Sequence, residues 1–304
     1  MDARAVIADH LAVSPLIPLP LTGIDVPVYA KLETRQPTGS FKVRGALSAA
    51  AAYGRARIVT ASAGNHGLGI AYAATRLGVT ATVVVPETAS TAKVAQLETL
   101  GIDLRRIGAD YDAAEAEAID LARESGGRFV SAYNDPAVVA GQGTIAAEII
   151  EQLDGPATVV VPVGGGGLLA GVAQALLDRP GWQAVGVETA ASRGCSAAIA
   201  AGKVVPVPVT ATIADGLAGN LEPGSITPGL IVGAGATVCA VPETAIRAAV
   251  RELVTQHGLV VEGSGAVGLA ALREGLVPLE QPVVLVLTGR NIARALLADI
   301  LTNE

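Results

Sequence analysis

Lys42 is set in the run Thr38-Gly39-Ser40-Phe41-Lys42-Val43-Arg44-Gly45-Ala46. The run follows a short apolar stretch, Val26 to Leu32, and opens into alanine-rich sequence, Gly45 to Tyr53, that reads as a helix. The amine therefore falls near a helix N-terminus, whose partial positive charge disfavours an ammonium for the same reason that it welcomes anions. A lysine kept as the free amine is a candidate imine-forming nucleophile. Taken alone, the residue also fits a solvated surface lysine.

Three loops add further chemistry. Ser62-Ala63-Gly64-Asn65-His66 offers a hydroxyl, backbone donors, an amide and an imidazole within five residues. That set suits a carboxylate held at a helix N-terminus; helix capping by Ser62 or Asn65, and a satisfied structural His66, are the plainer alternatives. Gly164 to Gly167 is a run of four glycines. Without Cβ atoms, its N–H groups can approach a phosphate closely, and the helix that opens at Leu168 adds its positive end. A tight turn is one alternative. Another is the dinucleotide fingerprint: Gly165, Gly167 and Ala170 fit GxGxxA, and Glu188 closes the next strand, which would make a nicotinamide-dependent dehydrogenase. That reading leaves Lys42 and the 62–67 loop without work. The third loop, Thr288-Gly289-Arg290-Asn291, places a hydroxyl at the end of the last strand and a charge, Arg290, that the sequence does not place.

The elements that must carry these loops alternate. Strand runs are expected at Val26–Leu32, Arg57–Ala61, Val79–Val85, Ile102–Ile107 and Phe129–Ser131, with helices from the 62–67 loop to Leu77, at Thr91–Leu100 and at Asp110–Arg123. A second series follows Pro136: helix Gly143–Leu153, strand Thr158–Val163, helix Leu168–Leu177 and strand Ala184–Val187. Residues 203–242 read as loops with short strands. Helices Glu243–His257 and Ser264–Arg273, strand Val283–Leu287 and a terminal helix complete it. Strand–helix alternation implies right-handed crossovers and parallel sheets. In open parallel sheets, ligands bind at the carboxyl ends of the strands, so the three loops are expected to converge on one crevice.

Composition excludes several classes. The chain has 304 residues, is 51% apolar and 16% charged, and carries a net charge of −7 with no Lys/Arg-rich run. It can bury a large core and is not a disordered chain; nucleic acid and anionic membranes are not expected partners. The two cysteines, Cys195 and Cys239, lack a CxxC partner, and His10, His66 and His257 are scattered, so reduced thiols in a cytoplasmic chain and no cysteine-based metal site are expected. The N-terminus shows no uninterrupted apolar h-region, and no signal peptide is expected. The uncharged run Gly155–Leu177 is split by Pro162 and the glycines, which favours a buried strand–helix unit over a membrane span.

Pro37 to Ala46 resembles, throughout, the lysine motif of fold-type II pyridoxal-phosphate (PLP) enzymes, the family of threonine and serine dehydratases and serine racemase. The resemblance extends to the Ser62–His66 loop, to Asp135–Thr144, to the Gly164–Gly167 turn, to Ile213-Ala214-Asp215-Gly216, to Glu262-Gly263-Ser264-Gly265-Ala266 and to the Thr288 loop, in the expected order. It implies an α/β fold of the tryptophan synthase β-like type, with two domains, each an open, mostly parallel sheet flanked by helices. A small domain (53–135) would be inserted into a large one (1–52 plus 136–304), with the cofactor between them.

It further implies that Lys42 carries PLP as a Schiff base, with Phe41, Asn65, Gly164, Gly165, Gly166, Gly167, Leu168, Glu262 and Thr288 around the cofactor. Asn65 would contact its 3′-oxygen and Thr288 its pyridine nitrogen. A neutral hydroxyl at that nitrogen makes the ring a weaker electron sink, favouring quick elimination over a long-lived carbanion. Ser62, Gly64, Asn65, His66, Tyr133 and Gly216 would meet an amino-acid substrate, with the Ala218-Gly219-Asn220 turn beside its side chain. The implied activity is that of a PLP-dependent ammonia-lyase of a β-hydroxy-amino acid, L-threonine or L-serine, in a homodimer; a racemase or a β-replacement synthase is the alternative on the same fold.

Ala63 stands where racemase-like members place a serine as second acid/base, and alanine carries no proton, which favours the dehydratase. Relatives that bind a divalent cation use an acidic residue at the place of Glu188, a backbone carbonyl four residues on and a second carboxylate six residues on. Ser192 and Gly194 occupy those later places, and weak or absent cation binding is expected. The regulatory domain of biosynthetic threonine dehydratases has no counterpart in the sequence, so feedback by isoleucine is not expected.

Overall fold

β-Branched and alanine runs closed by glycine, proline or small polar residues become the strands, and the alanine-rich stretches between them the helices. The computed structural model describes residues 2–303. In chain order the elements are α1 (Ala3–His10), β1 (Leu16–Pro18), β2 (Val28–Leu32), α2 (Lys42–Tyr53), β3 (Ile58–Ala61), α3 (Asn65–Leu77), β4 (Ala81–Val85), α4 (Thr91–Glu98), β5 (Asp103–Arg106), α5 (Tyr111–Glu124), β6 (Arg128–Phe129) and α6 (Pro136–Gln152). They continue as β7 (Thr158–Pro162), α7 (Gly167–Leu176), β8 (Gln183–Thr189), α8 (Gly194–Ala201), α9 (Thr227–Gly233), β9 (Thr237–Val241), α10 (Glu243–His257), α11 (Gly263–Arg273), β10 (Val283–Leu287) and α12 (Arg294–Thr302).

The chain forms two compact units. The first takes the residues up to Ala12 and Phe41–Gln142, the second Val13–Ser40 and Gly143 onward. This division falls elsewhere than the expected insert of 53–135, because α2 packs along α3 and carries the Lys42 segment into the first unit.

The first unit holds a four-stranded, all-parallel sheet in the order β5-β4-β3-β6. Side chains alternate across it. Ile58, Val83 and Val85 pack with Val43, Leu47, Leu68 and Ile70 of α2 and α3, while Val59, Ala61 and Val84 pack with Ala114, Ala118 and Ala122 of α5. Helices therefore cover both faces, as buried parallel strands require. A Cβ on Gly69 would lie 3.1 Å from the Lys42 carbonyl carbon, so this glycine sets how closely α3 approaches the start of α2.

The second unit holds a six-stranded sheet in the order β1-β2-β10-β7-β8-β9, parallel except for the edge strand β1. One face is closed by α10 and α11, whose Ile246, Val250, Leu253, Val267 and Leu269 meet Ala30, Leu285, Val160 and Val187. On β2, Lys31 alternates to the other face and is fully buried. Its Nζ donates to Glu148 Oε2 (2.6 Å), Gln152 Oε1 (2.7 Å) and the Ser14 carbonyl (2.8 Å). The Ser14 hydroxyl in turn donates to the buried Glu33.

Some expectations move. Helix α6 starts at Pro136, not Gly143: Asp135 accepts the N–H groups of Ala137 (2.8 Å) and Val138 (3.2 Å), and proline is well suited to a first helical turn. The strands anticipated before β9 are absent among the described residues of 203–236, where a 3-10 turn (Asp215–Leu217) and α9 stand instead. The run Gly155–Leu177 is β7, the glycine turn and α7, and no helix of the described residues is long and apolar enough to cross a membrane.

Candidate active site

In the first unit, Lys42 is the first residue of α2, with Phe41 at the cap position. Its Nζ donates to the Ala132 carbonyl at 2.9 Å and lies 5.2 Å from the centre of the Phe41 ring. The turn presenting that carbonyl is held by the buried Ser131, whose hydroxyl accepts the N–H groups of Asn134 (3.0 Å) and Tyr133 (3.4 Å). The far end of α2 is tied to the same stretch: the Tyr53 hydroxyl donates to Asp135 at 2.6 Å, and the Arg128 guanidinium lies 4.6 Å over the Tyr53 ring. Burial, then the Asp135 carboxylate, push the Tyr53 phenol up to about 12.

The Ser62–His66 segment leaves the carboxyl end of β3 and opens α3, whose cap is Gly64. The Gly64 N–H donates to Ser62 Oγ at 3.2 Å, folding the loop over the first turn. His66 is 3% exposed, and its Nε2 faces the Val130 carbonyl at 3.3 Å. A carbonyl only accepts, so Nε2 carries the proton. Burial and the nearby Lys42 charge lower the imidazole to about 3. His66 is thus a neutral ring, and any carboxylate bound here would meet the N–H groups of the helix terminus instead of an imidazolium.

In the second unit, β10 lies between β2 and β7 and runs parallel to both. The segments after β2, β7 and β10 therefore leave one edge of one sheet side by side. Gly166, at φ +83°, is in the left-handed region that glycine adopts without cost, and it caps α7. Among the described residues, none accepts the N–H groups of Gly164, Gly165 or Gly166, while the Gly165 carbonyl accepts from Thr227 at 2.7 Å. The loop is a cradle of uncommitted donors at a helix N-terminus. Leu168 buries its side chain in the first turn behind it. Gly216 lies against Gly164, since a Cβ there would meet the Gly216 carbonyl at 3.2 Å, and its N–H donates to Ser264 Oγ at 3.1 Å.

Thr288 is 2% exposed, and its hydroxyl makes no hydrogen bond among the described residues. Its loop is braced from two sides. Glu262 accepts the Asn291 N–H at 3.1 Å, and its own N–H donates to the Gly289 carbonyl at 3.0 Å. Arg290, which the sequence left unplaced, donates through its guanidinium to the Thr34 carbonyl and through its N–H to Gly39 (2.9 Å).

The predicted residues thus fall into two sets. Phe41, Lys42, Ser62, Gly64, Asn65, His66 and Tyr133 lie in the first unit; Gly164–Gly167, Leu168, Gly216, Glu262 and Thr288 lie in the second. The single-sheet argument brings together only the 164–167 and 288–291 loops, because β3 belongs to the other sheet. Ala132, Ser131, Thr227 and Ser264 were not anticipated. A backbone carbonyl leaves no mark in a sequence, and a lone serine or threonine leaves little.

The fold and these two sets define an α/β enzyme with a helix-heading lysine and a glycine-rich anion cradle. The chain belongs to the pyridoxal-phosphate dependent enzyme family, whose profile matches residues 7–289. It is 41% identical over 275 residues to the L-threonine ammonia-lyase of Geobacter sulfurreducens, covering 88% of this chain and 68% of that protein. Among solved structures, a threonine deaminase from T.th. matches with a TM-score of 0.87 at 35% identity over 96% of each chain. Maize serine racemase matches with a TM-score of 0.87 at 29% identity, over 98% of this chain and 94% of that one. The dehydrogenase reading falls with this membership, and Glu188 has other work: Oε1 accepts the N–H of Cys195 at 2.8 Å and both oxygens accept that of Ser196 at 3.3 Å, so the carboxylate caps α8.

Taken unit by unit, the groups present fit parts of PLP. The uncommitted amides of Gly164–Gly166 suit a phosphate, the partly buried primary amine of Lys42 suits an aldehyde, and the uncommitted hydroxyl of Thr288 suits a pyridine nitrogen.

Proposed function

We propose that this chain is a PLP-dependent ammonia-lyase that converts a β-hydroxy-amino acid, L-threonine or L-serine, to a 2-oxo acid and ammonia. The observation that carries the reading is Lys42 heading α2, with its amine directed to a neutral carbonyl, in a chain that shares 41% identity with an L-threonine ammonia-lyase.

Lys42 would hold the cofactor's aldehyde carbon, Gly164–Gly167 its phosphate, Asn65 its 3′-oxygen and Thr288 its ring nitrogen, with Phe41, Leu168 and Glu262 shaping the surroundings. When bound, PLP supplies an aldehyde for the substrate amine and a ring that takes up the electrons released at Cα. The N–H groups at the head of α3, with Ser62, Gly64 and Asn65, bind the substrate carboxylate and fix its orientation. Lys42 Nζ, once free, takes the Cα proton. The β-hydroxyl leaves as water, and a second water then releases ammonia, so threonine gives 2-oxobutyrate and serine gives pyruvate. Tyr133 and Gly216 face the side chain. Ala63 can neither give nor take a proton on the opposite face, so elimination prevails over racemisation.

The test is a panel of L- and D-hydroxy-amino acids, L-threonine, L-serine, 3-hydroxyaspartate and β-aryl serines, with 2-oxo acid and enantiomer measured together. Formation of 2-oxo acid from L-threonine or L-serine far exceeding any D-enantiomer supports the reading. Racemisation outpacing 2-oxo acid formation, or turnover only when sulfide is added, overturns it.

A further inference from the structure

Beyond the glycine cradle, one hydroxyl in the second unit holds both backbone groups of a single residue. Ser192 Oγ donates to the Gly219 carbonyl at 2.9 Å and accepts the Gly219 N–H at 3.1 Å. A hydroxyl can donate and accept from one atom in this way. Ser192 is 2% exposed and sits in the turn between β8 and α8, itself closed by its N–H to the Thr189 carbonyl at 3.1 Å.

Gly219 has φ +155°, a conformation open to glycine and costly for other residues. It ends a short turn pinned at its other end as well, by Ser264 on the Gly216 N–H. Between the two pins, the turn rests on the glycine cradle: a Cβ on Gly164 would fall 3.0 Å from Leu217 Cα. Just beyond, Asn220 accepts the Val207 N–H at 2.7 Å, so its side chain ties down the 203–211 segment. Gly216 and Gly219 are exposed, so this is a surface held in a fixed conformation next to the proposed phosphate loop.

We infer that Ser192 is a positioning residue: by clamping Gly219 it fixes the Gly216–Asn220 turn as the wall that meets the substrate's side chain, and so sets substrate affinity. The inference rests on the ammonia-lyase reading. Loosening the wall weakens binding in the ground and transition states alike, which raises KM with little change in kcat.

The experiment compares holoenzyme with Ser192→Ala and Ser192→Thr. In Ser192→Ala, KM for L-threonine rises about tenfold, the scale of two lost hydrogen bonds. The value of kcat stays within about threefold. Cofactor absorbance is retained, and the Gly219 amide exchanges with solvent faster. Ser192→Thr, which keeps the hydroxyl, returns KM and exchange towards wild type. An unchanged KM in Ser192→Ala, or a fall in kcat and melting temperature with KM unmoved, overturns the clamp's role while leaving the ammonia-lyase reading intact. A wild type that forms no 2-oxo acid from any hydroxy-amino acid overturns both.

Discussion

The Asn291 side-chain amide donates to the Thr38 carbonyl at 2.9 Å. It is one stitch in a seam that also includes the Arg290 N–H to the Gly39 carbonyl and an isolated bridge between Ser40 and Gly289. Within the second unit, the seam holds residues 38–40 against the loop that carries Thr288. Gly39, at φ +74°, leaves room for it, since a Cβ there would fall 2.6 Å from Asn291 Oδ1.

Asn291→Ala removes one side-chain tie without disturbing the backbone bridge. The expected loss is about 1 kcal/mol of stability, read as a lower melting temperature, with a fall in kcat as the stretch ahead of Lys42 loosens. An unchanged kcat would show that the backbone bridge holds the segment alone.

The buried Lys31–Glu148 pair predicts a larger effect. Lys31 is fully buried and Glu148 nearly so. Lys31→Met removes a buried ammonium with its bonds to Glu148, Gln152 and the Ser14 carbonyl, and destabilises the fold by about 3–5 kcal/mol, measured by denaturant unfolding. Replacing both partners with apolar residues recovers much of that loss.

His66 predicts a pH dependence. Its folded value is lowered to about 3 from an ordinary 6.5, burial being the main cause. The neutral ring's contribution is fully present above about pH 6.5. It is lost as pH falls towards 3, because the unfolded chain takes up a proton that the folded chain refuses. At pH 5 the loss is about 2 kcal/mol. His66→Gln removes this component, so its unfolding free energy falls less steeply between pH 6.5 and 4; identical slopes would contradict the assignment.

How much of this was legible beforehand depended on whether chemistry left a local pattern. The strands that carry the loops and the motif at Lys42 stand out because apolar runs and glycine clusters are contiguous in sequence. The pattern did not show that the loops leave two different sheets: β3 and β7 both end in polar or glycine loops, yet nothing in their sequence tells which sheet each joins. Asp135 as the cap of α6 leaves little mark, because an Asp-Pro pair suits an isolated turn as well as the first turn of a helix. Arg290 could not be placed because its acceptor is a backbone carbonyl 256 residues away.

Glu188 predicts insensitivity to chelation. Its oxygens already accept the Cys195 and Ser196 N–H groups. Burial raises its carboxyl above the ordinary value, against the lowering effect of those donors. Treatment with a divalent chelator leaves activity and melting temperature unchanged, whereas Glu188→Ala, which uncaps α8, costs about 1–2 kcal/mol of stability. A chelator-dependent loss restored by magnesium or calcium would refute this.

The most direct test of the whole account is borohydride reduction of the purified protein with PLP, followed by peptide mass spectrometry. The chain has four lysines, Lys31, Lys42, Lys93 and Lys203, so the outcome is discrete. The account predicts a reduced pyridoxyl-phosphate group on the peptide containing Lys42, with loss of both the adduct and 2-oxo acid formation in Lys42→Ala. An adduct on another lysine, or turnover that survives in Lys42→Ala, would contradict it.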